Sequence, residues 1–452
     1  MPGASLARTL RLRDLIFIVV GTTIGSGIFL VPGAVLRDAG GDVGYALLVW
    51  VLGGALALLG ALTYGELGAM LPEAGGAYVY VRDAFGALPA FLLGWTLFWV
   101  ISTGSVATLA VAFAEYLRQF VALDPAAAKL VAALMIATVG AVNVRGTRPS
   151  ANVQNWSTGI KVGAILAMSV LLLGSGDGLT GVRAAAFGAP FGLPVLQAIG
   201  VAMIGVLWAY EGWANVAASA GETLDPQRIF PRGIVLGTAT LVAIYLLANI
   251  AYVAALGPTA MARTDRVAAE AVRAALGPGA GRLIAAAVLV SMFSAANGLT
   301  LTNSRVYYAM ARDGVFFRQL ARVHPRFGTP AFSVVVSSAW AIALAATGSF
   351  EQLFTYVIFA SWLFFTLAGA SVFVLRRRRP AAVRPFRVPG YPWTPLLFVA
   401  SAAAIVINTM ATRPGRSLLG LGFVALGLPA YYWWRRGRSR PAGLTTVEER
   451  AR

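Results

Sequence analysis

Apolar stretches long enough to cross a membrane follow one another from one end of this sequence to the other. A helix needs about 20 apolar residues to span the roughly 30 Å hydrocarbon layer, and 58% of the 452 residues are hydrophobic whereas only 12% are charged. Soluble domains carry about a quarter charged residues. The sequence therefore predicts an all-α polytopic membrane protein with about twelve transmembrane helices. Their expected spans are 14–36, 44–70, 86–116, 128–144, 153–174, 194–219, 233–256, 282–311, 331–347, 352–375, 394–412 and 417–434.

The basic residues indicate how these spans are oriented. The 36 Lys and Arg residues, set against 18 Asp and Glu, fall mainly in alternate loops, on the side that also carries both chain ends. Because cytoplasmic loops are enriched in Lys and Arg, we expect an integral protein of the cytoplasmic (plasma) membrane with both termini cytoplasmic. A nucleic-acid-binding protein would instead gather its basic residues on a polar domain with aromatic residues between them. The net charge of +18 therefore reflects topology and predicts no nucleic-acid partner.

Few residues of the types that carry enzymatic or metal chemistry are present. There is no Cys, which excludes a disulfide framework and a thiolate metal site, and the single His, His324, is expected in a loop at 312–330. A membrane enzyme would need a constellation of acids, His or metal ligands. Glu66, Glu115 and Glu222 lie near predicted helix ends, where capping or gating is the expected role. We therefore predict no enzymatic activity, no cofactor and no metal site.

The first span contains a stretch that a continuous helix does not favour. It reads GTTIGSGIF over 21–29, and Pro32 and Gly33 follow. Unwound backbone at membrane depth is tolerated only where it lines a cavity or is buried in protein. The freed amides of Gly25, Ser26 and Gly27 would then form an anion site at the start of the second half-helix. The alternative interpretation is a glycine-rich face for helix packing.

The sixth span contains a second interruption, WAYEGWAN over 208–215. A carboxylate in the middle of an apolar span is costly and indicates a functional site. Glu211 next to Gly212 predicts a second broken helix whose carbonyls and side chains face the same cavity as the first break. Secondary transporters bind substrate at the midplane between two such discontinuous helices. The alternative is a buried acid that is neutralised by a proton or by a neighbour.

Lys161 is the third unusual residue, because it is one of only two lysines and lies in the fifth span. Its ammonium could extend along the helix to the membrane interface. The sharper hypothesis places it between helices, donating to unwound carbonyls of the first span. Polar groups of the eighth span, where Ser291, Ser294 and Asn297 recur near helical spacing, would complete its surroundings. A lysine in that place supplies a fixed or titratable point charge where a cation could otherwise bind.

Three segments together resemble the amino acid–polyamine–organocation superfamily. They are GTTIGSGIF at 21–29, LPEAGGAYVY at 71–80 and WAYEGWAN at 208–215 with the following Gly221-Glu222, and the last is most similar to the L-type amino acid transporter-like branch. The resemblance implies a five-plus-five inverted repeat with discontinuous helices 1 and 6, as in leucine transporters, plus two C-terminal helices. It also implies transport of L-amino acids by alternating access.

The resemblance implies a role for each matching residue. The amides of Gly25, Ser26 and Gly27 would bind the substrate carboxylate. Trp208 would be the aromatic residue that gates the outer side of the pocket. Lys161, with Ser294 and Asn297, would take the place of a sodium ion, which implies sodium independence. The ammonium would be received by backbone groups of Thr22, Ile24, Ala209 and Glu211, and the second break would be lined or supported by Tyr210, Glu211, Gly212 and Trp213.

Two features depart from the branch. Ala295 and Leu299 flank Asn297-Gly298, whereas members of the branch often have small hydroxyl residues at these flanking positions. The sequence therefore does not identify which residue of the eighth span contacts Lys161. The absence of Cys excludes a disulfide-linked ancillary subunit. Side-chain selection is expected from Ala202 to Gly205 and from Ser102 to Ser105, near Trp208 and Tyr210.

The expected organisation is a single transport unit with small additions. We expect a cytoplasmic tail at 1–13, an inverted-repeat transport core at 14–375, a basic cytoplasmic loop at 376–393, helices 11 and 12 at 394–434 and a cytoplasmic tail at 435–452. The favoured activity is sodium-independent exchange or facilitated transport of L-amino acids. The alternatives are a proton-coupled amino acid or polyamine symporter and, more remotely, a membrane receptor or channel.

Overall fold

The computed structural model describes residues 6–175, 178–184, 186–188, 190–347, 350–412 and 414–436. Within these ranges the chain is helical, and the only β-type pairing among them is an isolated bridge between Leu10 and Thr223. The first nine α-helices are α1 Leu12–Thr23, α2 Gly27–Asp38, α3 Val43–Met70, α4 Ala77–Phe85, α5 Ala87–Thr96, α6 Ser102–Leu117, α7 Pro125–Val144, α8 Thr147–Leu173 and α9 Gly178–Ala184. A π-helical turn at Leu97–Ile101 joins α5 to α6.

The second half of the chain continues in the same way. Its α-helices are α10 Leu193–Ala209, α11 Pro226–Ala262, α12 Val267–Leu276, α13 Gly281–Arg312, α14 Ala331–Thr347, α15 Phe350–Arg378, α16 Trp393–Thr412, α17 Pro414–Ala425 and α18 Gly427–Arg436. Short 3₁₀ segments lie at Trp213–Glu222, Pro278–Ala280 and Arg318–Ala321.

The all-α polytopic membrane fold expected from the sequence is confirmed. Among the described residues, nine helices are long and apolar enough to cross a membrane, and the bent pair α1 and α2 makes a tenth span. The two further expected spans, 331–347 and 352–375, coincide with α14 and α15, but α14 has only 17 residues. The count of twelve therefore stays a prediction.

The first span breaks where the sequence predicts a break. Helix α1 ends at Thr23 and α2 starts at Gly27, and the two axes differ by 51°. The hydroxyls of Thr22 and Thr23 donate back to the carbonyls of Ile18 and Val19, 2.7 Å in both cases. Such side-chain hydrogen bonds compete with the backbone hydrogen bonds of the helix and favour termination of the helix there. The loose backbone at the break lies against α8 and α13 rather than lipid.

The second break depends on one glycine. Helix α10 ends at Ala209, and the chain continues as the 3₁₀ segment from Trp213. Gly212 between them has φ of +126°, and a Cβ there would lie 2.7 Å from the Thr22 carbonyl oxygen. A residue with a side chain would be strained in this conformation and would collide with the first break. Gly212 therefore sets both the turn and the close approach of the two breaks.

Two of the acids placed near helix ends are core residues, which corrects their expected capping or gating role. Glu222 and Arg305 are both fully buried, with Arg305 Nε and Glu222 Oε2 2.6 Å apart. Thr147 Oγ1 donates to Glu222 at 2.6 Å. Glu66 is likewise buried and pairs with Arg376 at 2.6 Å. A buried charge survives only when paired and hydrogen-bonded, so both acids join helices that lie far apart in the chain.

Candidate functional site

A cavity lies between the two helix breaks. It is lined by Thr22, Thr23, Gly25, Ser26, Gly27, Ile101, Ser102, Ser105, Leu109, Trp208, Ala209, Glu211, Gly212, Asn215, Ala295, Leu299 and Asn303. Most of the residues expected at the site are therefore brought together around one space. The cavity also includes Ser102 and Ser105, which lie in the segment expected to select the substrate side chain.

The amide side of the cavity is formed by the start of α2. Ser26 is the N-cap residue, and its side chain makes no capping hydrogen bond. The amides of Ser26 and Gly27 thus stand at the positive end of a half-helix, where a carboxylate is stabilised. Gly25 differs from the expectation, because its N–H donates to the Thr23 carbonyl at 2.8 Å within the turn. Gly25 lines the cavity, but its amide is already used.

The carbonyl side also corrects part of the expected set. The Ile24 carbonyl oxygen accepts from Lys161 Nζ at 2.6 Å and from Ser291 Oγ at 2.9 Å, which uses both of its lone pairs. The Ala209 carbonyl accepts from Tyr245 Oη at 2.9 Å. Ile24 is also absent from the cavity wall. Of the four expected ammonium acceptors, Thr22 and Glu211 are the ones with backbone carbonyls that the described protein contacts leave available.

Lys161 occupies the first break as the sharper hypothesis predicts. Its side chain is fully buried. Nζ donates to the carbonyl oxygens of Gly21 at 2.7 Å, Ile24 at 2.6 Å and Ser291 at 3.4 Å. An ammonium has three donors and no acceptor, so these three carbonyls match its full capacity. The alternative in which this side chain extends to the membrane interface is wrong for this structure.

Ser294 and Asn297 lie beside Lys161 in a separate polar network. Ser294 Oγ accepts from Gln154 Nε2 at 3.4 Å, and Asn297 Nδ2 donates to Gln154 Oε1 at 3.0 Å. Asn143 Nδ2 then donates to Asn297 Oδ1 at 3.0 Å. The partner of Lys161 on α13 is the Ser291 backbone carbonyl instead. Small polar residues are frequent in membrane helices, and the sequence therefore did not distinguish Ser291 from its two neighbours.

Glu211 lines the cavity, and its two carboxylate oxygens have different surroundings. Its Oε1 accepts from Ser361 Oγ on α15 at 2.5 Å. Its Oε2 is buried and has no hydrogen-bond partner among the described residues. A buried acceptor without a partner is costly. Ser361 was absent from the sequence-based site, because nothing in its own segment marks it.

The aromatic residues of the second break divide into two groups. Trp208 is partly buried on the cavity wall, where the expected gate would stand. Tyr210 and Trp213 face away into the core. Tyr210 Oη donates to the Trp50 carbonyl at 3.2 Å, and the Trp213 ring packs on Tyr64 with centroids 5.1 Å apart. These two residues therefore support the break without lining the cavity.

The LPEAGGAYVY segment packs on the residues that follow the second break. Gly75 has φ of +119°, and its N–H donates to the Ala218 carbonyl at 3.1 Å. Arg82, at the end of α4, pairs with Asp313 at 2.9 Å. Partial burial by itself lowers the pKa of Arg82, but the hydrogen bond and charge of Asp313, with Asp83 and Glu73, raise that pKa above its usual value. Arg82 therefore keeps its charge, and its ion pair with Asp313 ties α4 to the end of α13.

A family model for amino acid permeases matches residues 10–421, which cover both breaks and every helix that contacts them. The chain belongs to the amino acid permease family. The serine/threonine exchanger SteT of Bacillus subtilis (strain 168) is 30% identical over 439 residues, which is 96% of this chain and 98% of the relative. The mouse b(0,+)-type amino acid transporter 1 is 32% identical over 97% of this chain and 91% of its own length. The human large neutral amino acids transporter small subunit 2 is 31% identical over 95% and 81%.

Membership of this family establishes the kind of protein. Its relatives are transporters and exchangers of amino acids rather than enzymes. The apolar helices make it an integral membrane protein. The cavity between the breaks is therefore the candidate site for the transported amino acid. The chain contains no Cys, so it forms no disulfide link to an ancillary subunit.

Proposed function

We propose that this chain is a sodium-independent exchanger of small neutral L-amino acids that works by alternating access. The observation that carries the proposal is the position of Lys161. Its Nζ lies within 3.4 Å of three backbone carbonyl oxygens at the first break. Carbonyl oxygens are hard ligands of the kind that coordinate sodium in broken transporter helices. A resident ammonium supplies a positive charge at that place, so no sodium ion is needed to complete the site.

The proposed substrate lies across the gap between the breaks. Its carboxylate accepts hydrogen bonds from the amides of Ser26 and Gly27, and its ammonium donates to the carbonyls of Thr22 and Glu211. Both pairs belong to cavity-lining residues. Trp208 would close the cavity on its outer side, opposite the cytoplasmic side on which α1 begins. This arrangement matches a zwitterion, with one charge facing each half of the site.

The side-chain end of the proposed site is small and polar. Ser102, Ser105, Asn303 and Glu211 line it, and Glu211 Oε2 has no hydrogen-bond partner among the described residues. A substrate hydroxyl would supply the donor that this oxygen lacks, because a carboxylate oxygen accepts hydrogen bonds only. The likeness to a serine/threonine exchanger agrees with this chemistry. We therefore place serine and threonine among the substrates.

Counterflow in proteoliposomes tests the proposal. Vesicles loaded with unlabelled serine should accumulate labelled serine in sodium-free buffer, and empty vesicles should accumulate little. Replacing sodium by choline should leave the rate unchanged. Uptake that requires sodium, or that is equal in loaded and empty vesicles, would overturn the sodium-independent exchange mechanism. A panel of the twenty amino acids as competitors would define the substrate range.

A second candidate, a proton-coupled symporter, is favoured by the same Glu211 carboxyl. A buried acid that lines the cavity and has one oxygen without a partner among the described residues is suited to take up and release a proton in each cycle. Under this mechanism an imposed pH gradient drives accumulation into empty vesicles, and Glu211→Gln abolishes that response. Exchange predicts no such accumulation in either variant.

For topology we propose that both termini are cytoplasmic, that residues 14–375 form the transport core and that 376–393 is a cytoplasmic loop. The support is the excess of basic residues on that side. The absence of native Cys allows single-Cys labelling without background. A membrane-impermeant maleimide should label Arg183→Cys in intact cells and Arg228→Cys only after permeabilisation, and the reverse pattern would invert the topology.

A further inference from the structure

A groove on the outside of the helical bundle is separate from the transport cavity. It runs between α1 and α8 and is lined by Arg13, Phe17, Asn152, Asn155, Trp156, Gly159 and Ile160. Its floor is open because Gly159 has no side chain. A Cβ at Gly159 would meet only the Phe17 ring, at 4.0 Å. The groove between the two helices therefore has room for an occupant beside Gly159.

The groove is polar at one end and apolar at the other. Helices α1 and α8 run in the same direction, because Asn155 contacts Asp14, Thr158 contacts Phe17 and Lys161 contacts Gly21 in register. Arg13, Asn152 and Asn155 therefore lie at the end where both helices begin. Ile160 lies about 12 Å deeper, at 1.5 Å per residue. The exposed indole of Trp156, 77% accessible, lies between the two ends.

The polar end has a positive charge that the described residues do not fully neutralise. Asp14 is fully buried and accepts from Arg148 at 2.6 Å and from Asn155 Nδ2 at 2.6 Å. Arg13 contacts the same carboxylate only at 3.8 Å, and its side chain is 63% exposed. Two arginines thus share one acid, which leaves one positive charge at the mouth of the groove.

The same end has an acceptor without a partner. Asn155 Oδ1 is buried and receives no hydrogen bond from the described residues. Its orientation follows from chemistry, since the Nδ2 group must face the Asp14 carboxylate to which it donates. An occupant of the groove should therefore carry a negative group for Arg13 and a neutral hydrogen-bond donor for Asn155.

We propose that this groove binds an anionic glycerophospholipid of the phosphatidylglycerol type. Its phosphate would pair with Arg13, a headgroup hydroxyl would donate to Asn155 Oδ1, and one acyl chain would lie along Phe17, Gly159 and Ile160. Basic pockets between membrane helices bind anionic headgroups, and Trp is enriched at the headgroup level. The net charge of the headgroup, −1, balances the excess positive charge of Arg13 and Arg148 over Asp14.

Occupancy of this groove would affect the transport cycle through helix packing. Helix α1 also carries the Gly21 and Ile24 carbonyls that hold Lys161. A lipid wedged between α1 and α8 adds contacts to the state in which the two helices lie together. It therefore stabilises the conformation described here and slows any separation of α1 from α8.

Lipid retention and thermal stability test the proposal without reference to transport. Purified protein in detergent is titrated with phosphatidylglycerol, phosphatidylethanolamine or phosphatidylcholine, and the unfolding midpoint and the lipid retained in native mass spectrometry are measured. Phosphatidylglycerol should raise the midpoint and be retained, whereas phosphatidylcholine should do neither. Equal effects of phosphatidylglycerol and either of the other lipids would overturn the proposed headgroup chemistry.

Two variants with matched controls locate the site. Arg13→Gln should weaken phosphatidylglycerol binding about fivefold, whereas Arg228→Gln, an exposed arginine at the start of α11, should leave it unchanged. Gly159→Leu fills the floor and should abolish retention. Gly163→Leu, one turn further along α8 with no heavy atom within 4 Å, should not. If each variant behaves like its control, the lipid binds elsewhere and the proposal is wrong.

Discussion

The two helix breaks face one cavity, but the protein uses their polar groups differently. At the first break the carbonyls of Gly21 and Ile24 are taken by the protein itself, because Lys161 donates to both and Ser291 Oγ also donates to Ile24. At the second break the Glu211 carboxylate has one oxygen without a hydrogen-bond partner among the described residues. The first break is thus completed by a resident cation, whereas the second leaves an acceptor for a ligand. A helix break exposes backbone N–H and C=O groups that have lost their intrahelical partners. Only the surrounding residues decide whether a substrate can hydrogen-bond to them.

Removing the resident cation should make the first break as incomplete as the second. Lys161→Ala removes the ammonium from the carbonyls of Gly21, Ile24 and Ser291, although Ile24 keeps the Ser291 hydroxyl as a donor and the Ser291 carbonyl lies within α13. We expect exchange to fall below detection and the unfolding free energy to fall by about 1–3 kcal/mol, the cost of one buried group left unsatisfied. Uptake and thermal unfolding in detergent measure both. The exposed Lys129→Ala, the other lysine, is the control and should retain activity. Normal exchange by Lys161→Ala would refute the comparison.

The geometry of the second break can be tested at Gly212. Gly212→Ala forces a side chain into φ of +126° and places Cβ 2.7 Å from the Thr22 carbonyl oxygen. We expect a stability loss of about 1–3 kcal/mol and strongly reduced exchange, because the two breaks must move apart. Gly200→Ala in α10, with no heavy atom within 4 Å, should be neutral or slightly stabilising. Equal behaviour of the two variants in uptake and unfolding would contradict the proposed close approach.

The free oxygen at the second break should determine the preference for hydroxyl substrates. Glu211→Gln keeps the shape of the side chain and replaces the charged acceptor. A hydrogen bond to a charged group contributes about 1.5–3 kcal/mol, so the preference for serine over alanine should fall about tenfold. Competition curves against labelled serine give the ratio. Glu115→Gln, whose side chain is 54% exposed, is the control. An unchanged ratio would mean that Glu211 does not contact the substrate side chain.

The smallest effect is expected from the second donor at the first break. The single hydroxyl proton of Ser291 donates to the Ile24 carbonyl at 2.9 Å, with the Gly25 carbonyl as the alternative acceptor at 3.1 Å, but Lys161 still holds Ile24 after Ser291→Ala. A typical hydrogen bond contributes about 1 kcal/mol. We expect that loss in stability and less than a threefold change in the KM for serine. Ser157→Ala, whose hydroxyl bonds its own helix, is the matched control. A loss of exchange as severe as that of Lys161→Ala would show that the ammonium alone does not complete the break.

The positions of both breaks and of Lys161 could be predicted because each departs from what lipid tolerates. Glycine runs, a mid-span acid and a mid-span lysine stand out against apolar sequence. Arg305 and Glu222 also met this criterion, as charged residues in or beside a span, yet their mutual pairing was not predicted. The sequence does not indicate which of two charged residues far apart in the chain will form an ion pair.

The partners within the site were less predictable. Ser361, Asn303 and Gln154 are ordinary small polar residues of membrane helices, and their own segments contain no signal of a site. The internal use of the Gly25 amide depends on the exact turn after Thr23. Such assignments follow from distances of a few tenths of an ångström, which hydropathy and spacing do not specify.

By itself the sequence determined the membrane fold, the places where the helices break and the residues that would have to be paired there. Only the tertiary structure decided the pairing: Lys161 takes the carbonyls of the first break, and Glu211 keeps one oxygen open at the second. The physical reason is that a polar group in a low-dielectric interior must find a partner. Those partners lie on helices that meet only after folding, with Lys161 and Gly21 140 residues apart in the chain.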